Sequence, residues 1–264
     1  MSNEIKTVNP ADEKPITTYD LMDENQAFEA IEACHDAFDK WRLKSPEDRA
    51  EVIRAVGKAL RDNKEEFAQL MTQEVGKLIG DSRDEVELCA AICDYTAEHG
   101  PEELADEQRD PNNAGRGIVT YSPIGVIYGI QPWNFPAYQV IRYAIANLMT
   151  GNGVLLKHAA NCTGSGLKIA EIFAKGGLPE NLFTVLVIDH DTSDAIVEHD
   201  KVRGVTLTGL ARFSVSVPRC MTGQACRTIS TVRAIAAACG ATILAASIRP
   251  SCWLACAAWR WRAG

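Results

Sequence analysis

The last 55 residues of this 264-residue chain contain no Asp, Glu, Lys or His. All 35 carboxylates, all five histidines and every lysine lie in residues 1–209. Residues 210–264 instead hold seven arginines, five of the nine cysteines and three of the five tryptophans. The tail is therefore +7, and the other 20 basic residues against 35 acidic ones make the body −15. Soluble domains draw roughly a quarter of their residues from the four charged types. A long stretch without one carboxylate has the composition of a coding sequence read out of frame. Only residues 1–209 are expected to fold as a domain, and residues 210–264 to form a poorly ordered tail.

Several function classes are excluded early. An acidic body disfavours nucleic acid as a partner. Residues 1–6, Met-Ser-Asn-Glu-Ile-Lys, contain no apolar secretory core. The longest apolar run, the fifteen residues Ala234–Ile248, falls short of the roughly 18–20 needed to span a bilayer, so no membrane association is expected. Cys34, Cys89, Cys93 and Cys162 include no CxxC pair, and Cys89 and Cys93 are spaced to share one helix face as small hydrophobes. Cys252 and Cys256 in the tail have no histidine nearby. No metal site is expected, and a reducing, cytoplasmic compartment fits best.

Residues 21–109 read as helical. Ala27, Ile31, Cys34, Phe38 and Trp41 step by three and four. A second helix is predicted to start at Ser45, with Pro46 in its first turn and Val52, Val56, Leu60, Phe67 and Leu70 on its apolar face. A third, Asp81 to Glu98, places Val86, Cys89, Ala90, Cys93 and Ala97 on one side. After Asp110-Pro111-Asn112-Asn113 the period changes. Gly117–Tyr121 reads as extended and Gly125–Ile130 as a buried strand. Helix Ala137–Met149, strand Val154–Lys157, helix Thr163–Lys175, strand Leu182–Ile188, helix Thr192–Glu198 and strand Val202–Leu207 follow. Four strands separated by three helices predict a parallel α/β sheet, with its ligand site at the carboxyl ends of the strands.

The first of those strand ends is Gln131-Pro132-Trp133-Asn134-Phe135-Pro136. Two prolines fix the backbone around an indole and a carboxamide. Asn134 offers uncharged N–H donors of the kind that stabilise a developing oxyanion; on the residues alone it is equally a capping Asn in a rigid loop.

Pro132–Pro136 resembles the signature of the NAD(P)-dependent aldehyde dehydrogenase superfamily, and the resemblance extends over residues 1–209. Asn9-Pro10, Trp41-Arg42 with Arg49, Glu74-Val75-Gly76-Lys77 and Glu85 are similar to the family's helical leader, here residues 1–110. Gly151-Asn152-Gly153 with Leu155-Leu156-Lys157-His158-Ala159, then Gly177-Leu178-Pro179 and Val205-Thr206-Leu207-Thr208-Gly209, resemble its cofactor region, here residues 111–209. The wording around Lys157-His158-Ala159 looks closest to the succinate-semialdehyde dehydrogenase branch. The resemblance implies an α/β aldehyde-dehydrogenase fold, with a helical leader and an incomplete parallel Rossmann-type cofactor domain, the catalytic domain missing.

By the same resemblance Asn134 is the oxyanion-hole donor, Ile130, Gln131, Pro132 and Trp133 line the cofactor cleft, and Lys157 binds the ribose hydroxyls, against the alternative of a strand-end lysine reaching solvent. Gly209 belongs to the cofactor loop. Relatives that prefer NAD place Glu three residues beyond the lysine, where this chain has Ala160; without that carboxylate NADP is admissible beside NAD. Arg142 aligns with an arginine that binds the substrate carboxylate in semialdehyde-oxidising relatives, against the alternative of a helix-surface arginine. Asp189 and His190 read as a polar strand-end turn. The implied partners are a small aldehyde and, in the intact family, further copies of the chain.

The compositional break falls inside the cofactor loop. The family follows Thr-Gly with Ser and, later, a Glu base and a Cys nucleophile. Here Gly209 is followed by Leu210, and no Glu follows Glu198. Gly223-Gln224-Ala225-Cys226 resembles the nucleophile motif, but Cys226 stands only 17 residues after Gly209, far short of the family's interval. The chain is accordingly expected to be an inactive member of an aldehyde-oxidising family. The alternative is a non-catalytic nucleotide-binding remnant, or a pseudoenzyme fragment that oligomerises near Gly117–Tyr121.

Overall fold

The computed structural model describes residues 4–109, 117–209 and 242–247. The chain opens with an antiparallel hairpin, β1 (Glu4–Val8) and β2 (Pro15–Asp20), that the sequence reading had not resolved. Four helices follow: α1 (Glu24–Trp41), α2 (Pro46–Asp62), α3 (Lys64–Val75) and α4 (Ile79–Glu103). Helix α1 starts in a reciprocal cap. Asp23 Oδ1 accepts from the Gln26 backbone N–H at 2.8 Å, and Gln26 Oε1 accepts from that of Asp23 at 3.0 Å. The stripe Ala27, Ile31, Cys34, Phe38 and Trp41 is buried as its spacing requires. Ser45 caps α2 as expected, accepting from the Asp48 N–H at 3.1 Å.

The single apolar face expected from Val52 to Leu70 is divided between two helices. The chain breaks at Asn63, whose Nδ2 donates to Ala59 O at 2.7 Å. This side-chain-to-backbone bond offers an alternative to continued helix. Val56, Leu60 and Phe67 are buried as expected, but Ile53 and Met71 are fully buried while Val52 and Leu70 are only half-buried.

Beyond the leader, β3 (Glu107–Arg109) pairs antiparallel with β4 (Gly117–Val119). Then come β5 (Val126–Gln131), α5 (Tyr138–Met149), β6 (Gly153–His158), α6 (Thr163–Lys175), β7 (Phe183–Val185), α7 (His190–Glu198), β8 (Val202–Gly209) and β9 (Thr242–Ser247). The main sheet runs β7-β6-β5-β8-β9, parallel except for β9. Strand β7 is shorter than the expected Leu182–Ile188 because pairing turns irregular after Val185. Leu186 N still donates to Leu156 O at 2.8 Å, and Val187 O accepts from Met22 N at 2.8 Å.

Within the tail, residues 242–247 form β9, which lies antiparallel on the edge of β8. An unpaired strand edge is a template for any extended segment. The other tail residues, including Cys226, Cys252 and Cys256, lie outside the described residues, as does the apolar run Ala234–Ile248 apart from this strand. Among the described residues no helix is long and apolar enough to cross a membrane.

The core occupies both faces of the sheet. One cluster joins α2, α3, α4, α5 and α6, and the other lies beneath α1 and α7 around Tyr128, Leu155 and Val205. Trp41 locks leader to sheet region by donating Nε1–H to Leu148 O at 2.9 Å. Helix α5 approaches β5 closely because Gly129 has no side chain. A Cβ there would stand 2.2 Å from Tyr143 Cζ, and Tyr143 is itself fixed by its hydroxyl, which donates to Leu155 O at 3.2 Å.

Cys34, Cys89, Cys93 and Cys162 are free and buried. Burial pushes the Cys34 thiol up to about 12 and raises the other three as well. The thiolate is the reactive form. Alkylation of the native chain at pH 8, followed by peptide mapping, is therefore expected to leave these four unmodified until denaturant is added. A native-state adduct on Cys89 or Cys93 would contradict their packing role.

Candidate functional site

Strand β5 is central, with β6 and β7 on one side and β8 on the other. The chain reverses its direction of sheet-building at β5, so a crevice opens at its carboxyl end, where α/β sheets bind ligands. The register makes that end explicit: Ile130 lies beside Lys157 on β6 and Leu207 on β8. Directly beyond stands the Pro132–Pro136 loop, with Trp133 54% exposed and Asn134 also exposed.

Alternation assigns faces. Tyr128 points toward α7, where its hydroxyl and Ser193 Oγ are 2.7 Å apart. Ile130 and its neighbour Lys157 share that face. Lys157 is only 7% exposed, and burial lowers its ammonium pKa, with Asp189 acting in the opposite sense. Among the described residues no hydrogen bond or ion pair holds its Nζ. Asp189 caps α7, accepting from Thr192 N at 2.9 Å, and this bond holds its carboxyl below its usual value. The pair Asp189-His190 is thus a helix start at a strand end.

The opposite face carries Gln131 beside His158. Gln131 is buried, and its Oε1 has no hydrogen-bond partner among the described residues. His158 accepts the Ala159 N–H at Nδ1 (2.9 Å), which leaves the proton on Nε2 to donate to Pro136 O at 2.9 Å. Burial pushes the imidazole down to about 4; its two backbone contacts oppose this and the Lys157 charge adds to it. His158 is therefore a neutral donor that pins the end of the Asn134 loop.

Arg142 is half-buried on α5. Its Nη2 donates to Gln139 Oε1 at 2.9 Å and reaches Thr208 Oγ1 at 3.5 Å, and the guanidinium lies 5.5 Å from the Tyr138 ring centroid. The side chain thus faces the carboxyl end of β8. Gly209 closes that strand, and Ala160 is exposed in a 3-10 turn after β6. The structure brings Ile130, Lys157 and the Asn134 loop to one strand end, with Arg142 reaching in from α5.

Two leader carboxylates that sequence reasoning assigned no role belong to this architecture. Glu85 is 3% exposed, and its Oε1 accepts from both Ala137 N and Tyr138 N at 2.9 Å. Glu74 is 2% exposed and accepts from Gly164 N at 2.9 Å, Ser165 N at 2.8 Å and Ser165 Oγ at 2.7 Å. Burial raises the Glu74 carboxyl, with these three bonds opposing. They close the amino ends of α5 and α6, neither of which has a capping side chain or an acidic first turn of its own. That local lack is the one sequence signal pointing to acceptors elsewhere.

A family profile described as "Aldehyde dehydrogenase family" matches residues 1–238. The chain belongs to the aldehyde dehydrogenase family. As a member of it, the chain is similar to the succinate semialdehyde dehydrogenase [NAD(P)+] Sad of Escherichia coli (strain K12), 36% identical over 211 residues, 80% of this chain and 46% of that protein. It is 35% identical, over 80% of its length and 44% of the relative's, to the succinate-semialdehyde dehydrogenase [NADP(+)] of Deinococcus radiodurans. Among solved structures, that of the succinic semialdehyde dehydrogenase from Streptococcus pyogenes in complex with NADP+ superposes with a TM-score of 0.79 at 31% identity. It covers 82% of this chain and 48% of that one. The chain spans about half the length of the curated relatives it matches. The aldehyde-dehydrogenase match also runs past the compositional break at residue 209.

Proposed function

We propose that residues 1–209 form the cofactor-binding part of an NAD(P)+-dependent dehydrogenase for succinate semialdehyde, and that the 264 residues by themselves bind cofactor without turning over. The observation that carries the reading is Lys157, a buried cation with no hydrogen-bonded acceptor among the described residues, at the crevice between β5 and β6. Such a group calls for ligand oxygens. Ribose hydroxyls fit it. With Ala160 in place of a carboxylate, a 2′-phosphate meets no like charge three residues beyond Lys157. Both NADP+ and NAD+ are consistent with this donor set, and the names of the relatives support the same choice.

When bound, the dinucleotide supplies the hydride acceptor. The chain's own residues do the rest of what this half can do. Ile130, Gln131, Pro132 and Trp133 line the cleft, and Gly209 ends the strand that borders it. Asn134 donates N–H to the aldehyde oxygen as a nucleophile adds to its carbon and charge gathers there. Arg142, oriented by Gln139 and Thr208, offers its guanidinium to the far carboxylate of a semialdehyde. Cys162 is no nucleophile, since burial raises its thiol, and no Glu after Glu198 stands ready as a base. Cys226 lies outside the described residues, and its 17-residue interval from Gly209 argues against it. The free buried thiols support a reducing, cytoplasmic setting, and Ile118 on β4, 56% exposed, supports association of copies along β3–β4.

Calorimetric titration of the 264-residue chain is expected to detect NADP+ or NAD+ binding, weakened at least about tenfold by Lys157→Met, the equivalent of ~1.4 kcal/mol. A steady-state assay with succinate semialdehyde is expected to give no NAD(P)H. Unchanged binding by Lys157→Met would remove the lysine from the cofactor site. Measurable turnover would overturn the inactivity.

A further inference from the structure

We propose that Glu85, together with Lys77, is a positioning residue for Asn134, acting across the interface between the helical leader and the cofactor region. Helix α5 begins three residues after Phe135, and its N-cap position is Ala137, which has no side-chain acceptor. Glu85 replaces that missing acceptor from α4. One carboxylate oxygen takes the N–H groups of both Ala137 and Tyr138, and the other pairs with the Lys77 ammonium. Lys77 in turn stands 4.0 Å from the centroid of the Phe135 ring, a cation–π distance. Phe135, Ala137 and Tyr138 are thereby all held by one ion pair from the leader, whose carboxylate is buried and whose ammonium is half-buried.

The other side of the loop is held by His158, which donates to Pro136 O at 2.9 Å. Residues 135–138 are gripped from both sides, while Trp133 and Asn134 project from the gripped segment into solvent. A carboxamide on such a loop inherits its direction from the backbone beneath it, because Pro132 and Pro136 leave the intervening residues few alternatives. Loss of the Glu85 acceptor leaves two N–H groups at the start of α5 unmet and frees Lys77 from Phe135. The loop then re-forms around other partners, and Asn134 turns with it. Supporting groups of this kind fix the orientation of a donor that must be aimed in advance.

The consequence for chemistry rests on Asn134 being the oxyanion donor proposed above. The geometric claim does not, and the test reads geometry in the cofactor-free chain, so failure of one is separable from failure of the other. The full chain is labelled with 15N on its Trp indole and Asn carboxamide groups, and the signals are assigned with Trp133→Phe, Asn134→Ala and Trp41→Phe. The Trp41 indole, bonded to Leu148 O, reports the fold independently of the loop.

Glu85→Ala is expected to shift or broaden the Asn134 and Trp133 signals while that of Trp41 keeps its place, and Lys77→Met to move the same two signals by less. Wild-type positions for Asn134 and Trp133 in both variants would overturn the proposal. If Glu85→Ala loses the Trp41 signal and so does not fold, Lys77→Met decides alone: displaced loop signals uphold the proposal and unmoved ones end it.

Discussion

Gly129→Ala is expected to destabilise the chain by about 3 kcal/mol or more, the severest single methyl addition at the site. The added Cβ would stand 2.2 Å from Tyr143 Cζ and 2.3 Å from its hydroxyl oxygen, well inside contact distance. The ring cannot swing away, since Tyr143 is buried between α5 and the sheet and its hydroxyl is committed to Leu155 O. Overpacking of this kind costs roughly 1–3 kcal/mol, and losing the buried hydrogen bond adds about 1 kcal/mol or more. Urea denaturation provides the check. Pairing Gly129→Ala with Tyr143→Leu removes the ring, so the double variant is expected to recover more than about 1 kcal/mol relative to the sum of the singles. Additive effects would mean that the α5–β5 approach is looser than the structure shows.

A second large effect is expected on acidification, centred on His158. In the unfolded chain the imidazole titrates near 6.5, and in the fold burial pushes it down to about 4. The fold favours the neutral ring. Its contribution is complete above 6.5 and is lost as pH falls through 4. A shift of this size corresponds to about 3 kcal/mol between pH 7 and pH 4. His158→Gln keeps an N–H donor for Pro136 O but does not titrate. Urea curves at the two pH values are expected to show the wild type losing about 3 kcal/mol more than this variant. Glu74, whose carboxyl is raised by burial, takes up a proton to the advantage of the fold as pH falls, and it does so in both proteins. Equal acid losses in the two would place His158 in a more hydrated setting than its surroundings indicate.

The helices of the leader were legible wherever an apolar stripe was unbroken, as from Ala27 to Trp41, because burial on one face is written into period. The parallel strands followed from the alternation of strand with helix, and the Asn134 loop from its two prolines; the strands' order in the sheet, with β8 returning to the far side of β5, did not. What stayed hidden was set by partners distant in sequence. Nothing near Asn63 predicts that its carboxamide will end a helix on Ala59 O. Strand β2, Pro-Ile-Thr-Thr-Tyr-Asp, has no apolar face and is mostly exposed, so it gives no alternation to read. Glu74 and Glu85 look like any other helix carboxylates until α5 and α6 are seen to lack acceptors of their own. Strand β9 pairs with the edge of β8, and composition alone does not reveal such an edge.

The remote capping of α5 and α6 also bears on how the chain assembles during synthesis. Glu85 meets its helix 52 residues later and Glu74 meets its own 90 residues later. The leader emerges first, yet both carboxylates remain hydrated until the matching helix starts have been made and docked. Contacts closed over such separations slow folding and prolong the life of open intermediates. The two regions therefore reach their final state as one cooperative unit, with the leader serving the later helices as a built-in template whose own last bonds form only when they arrive.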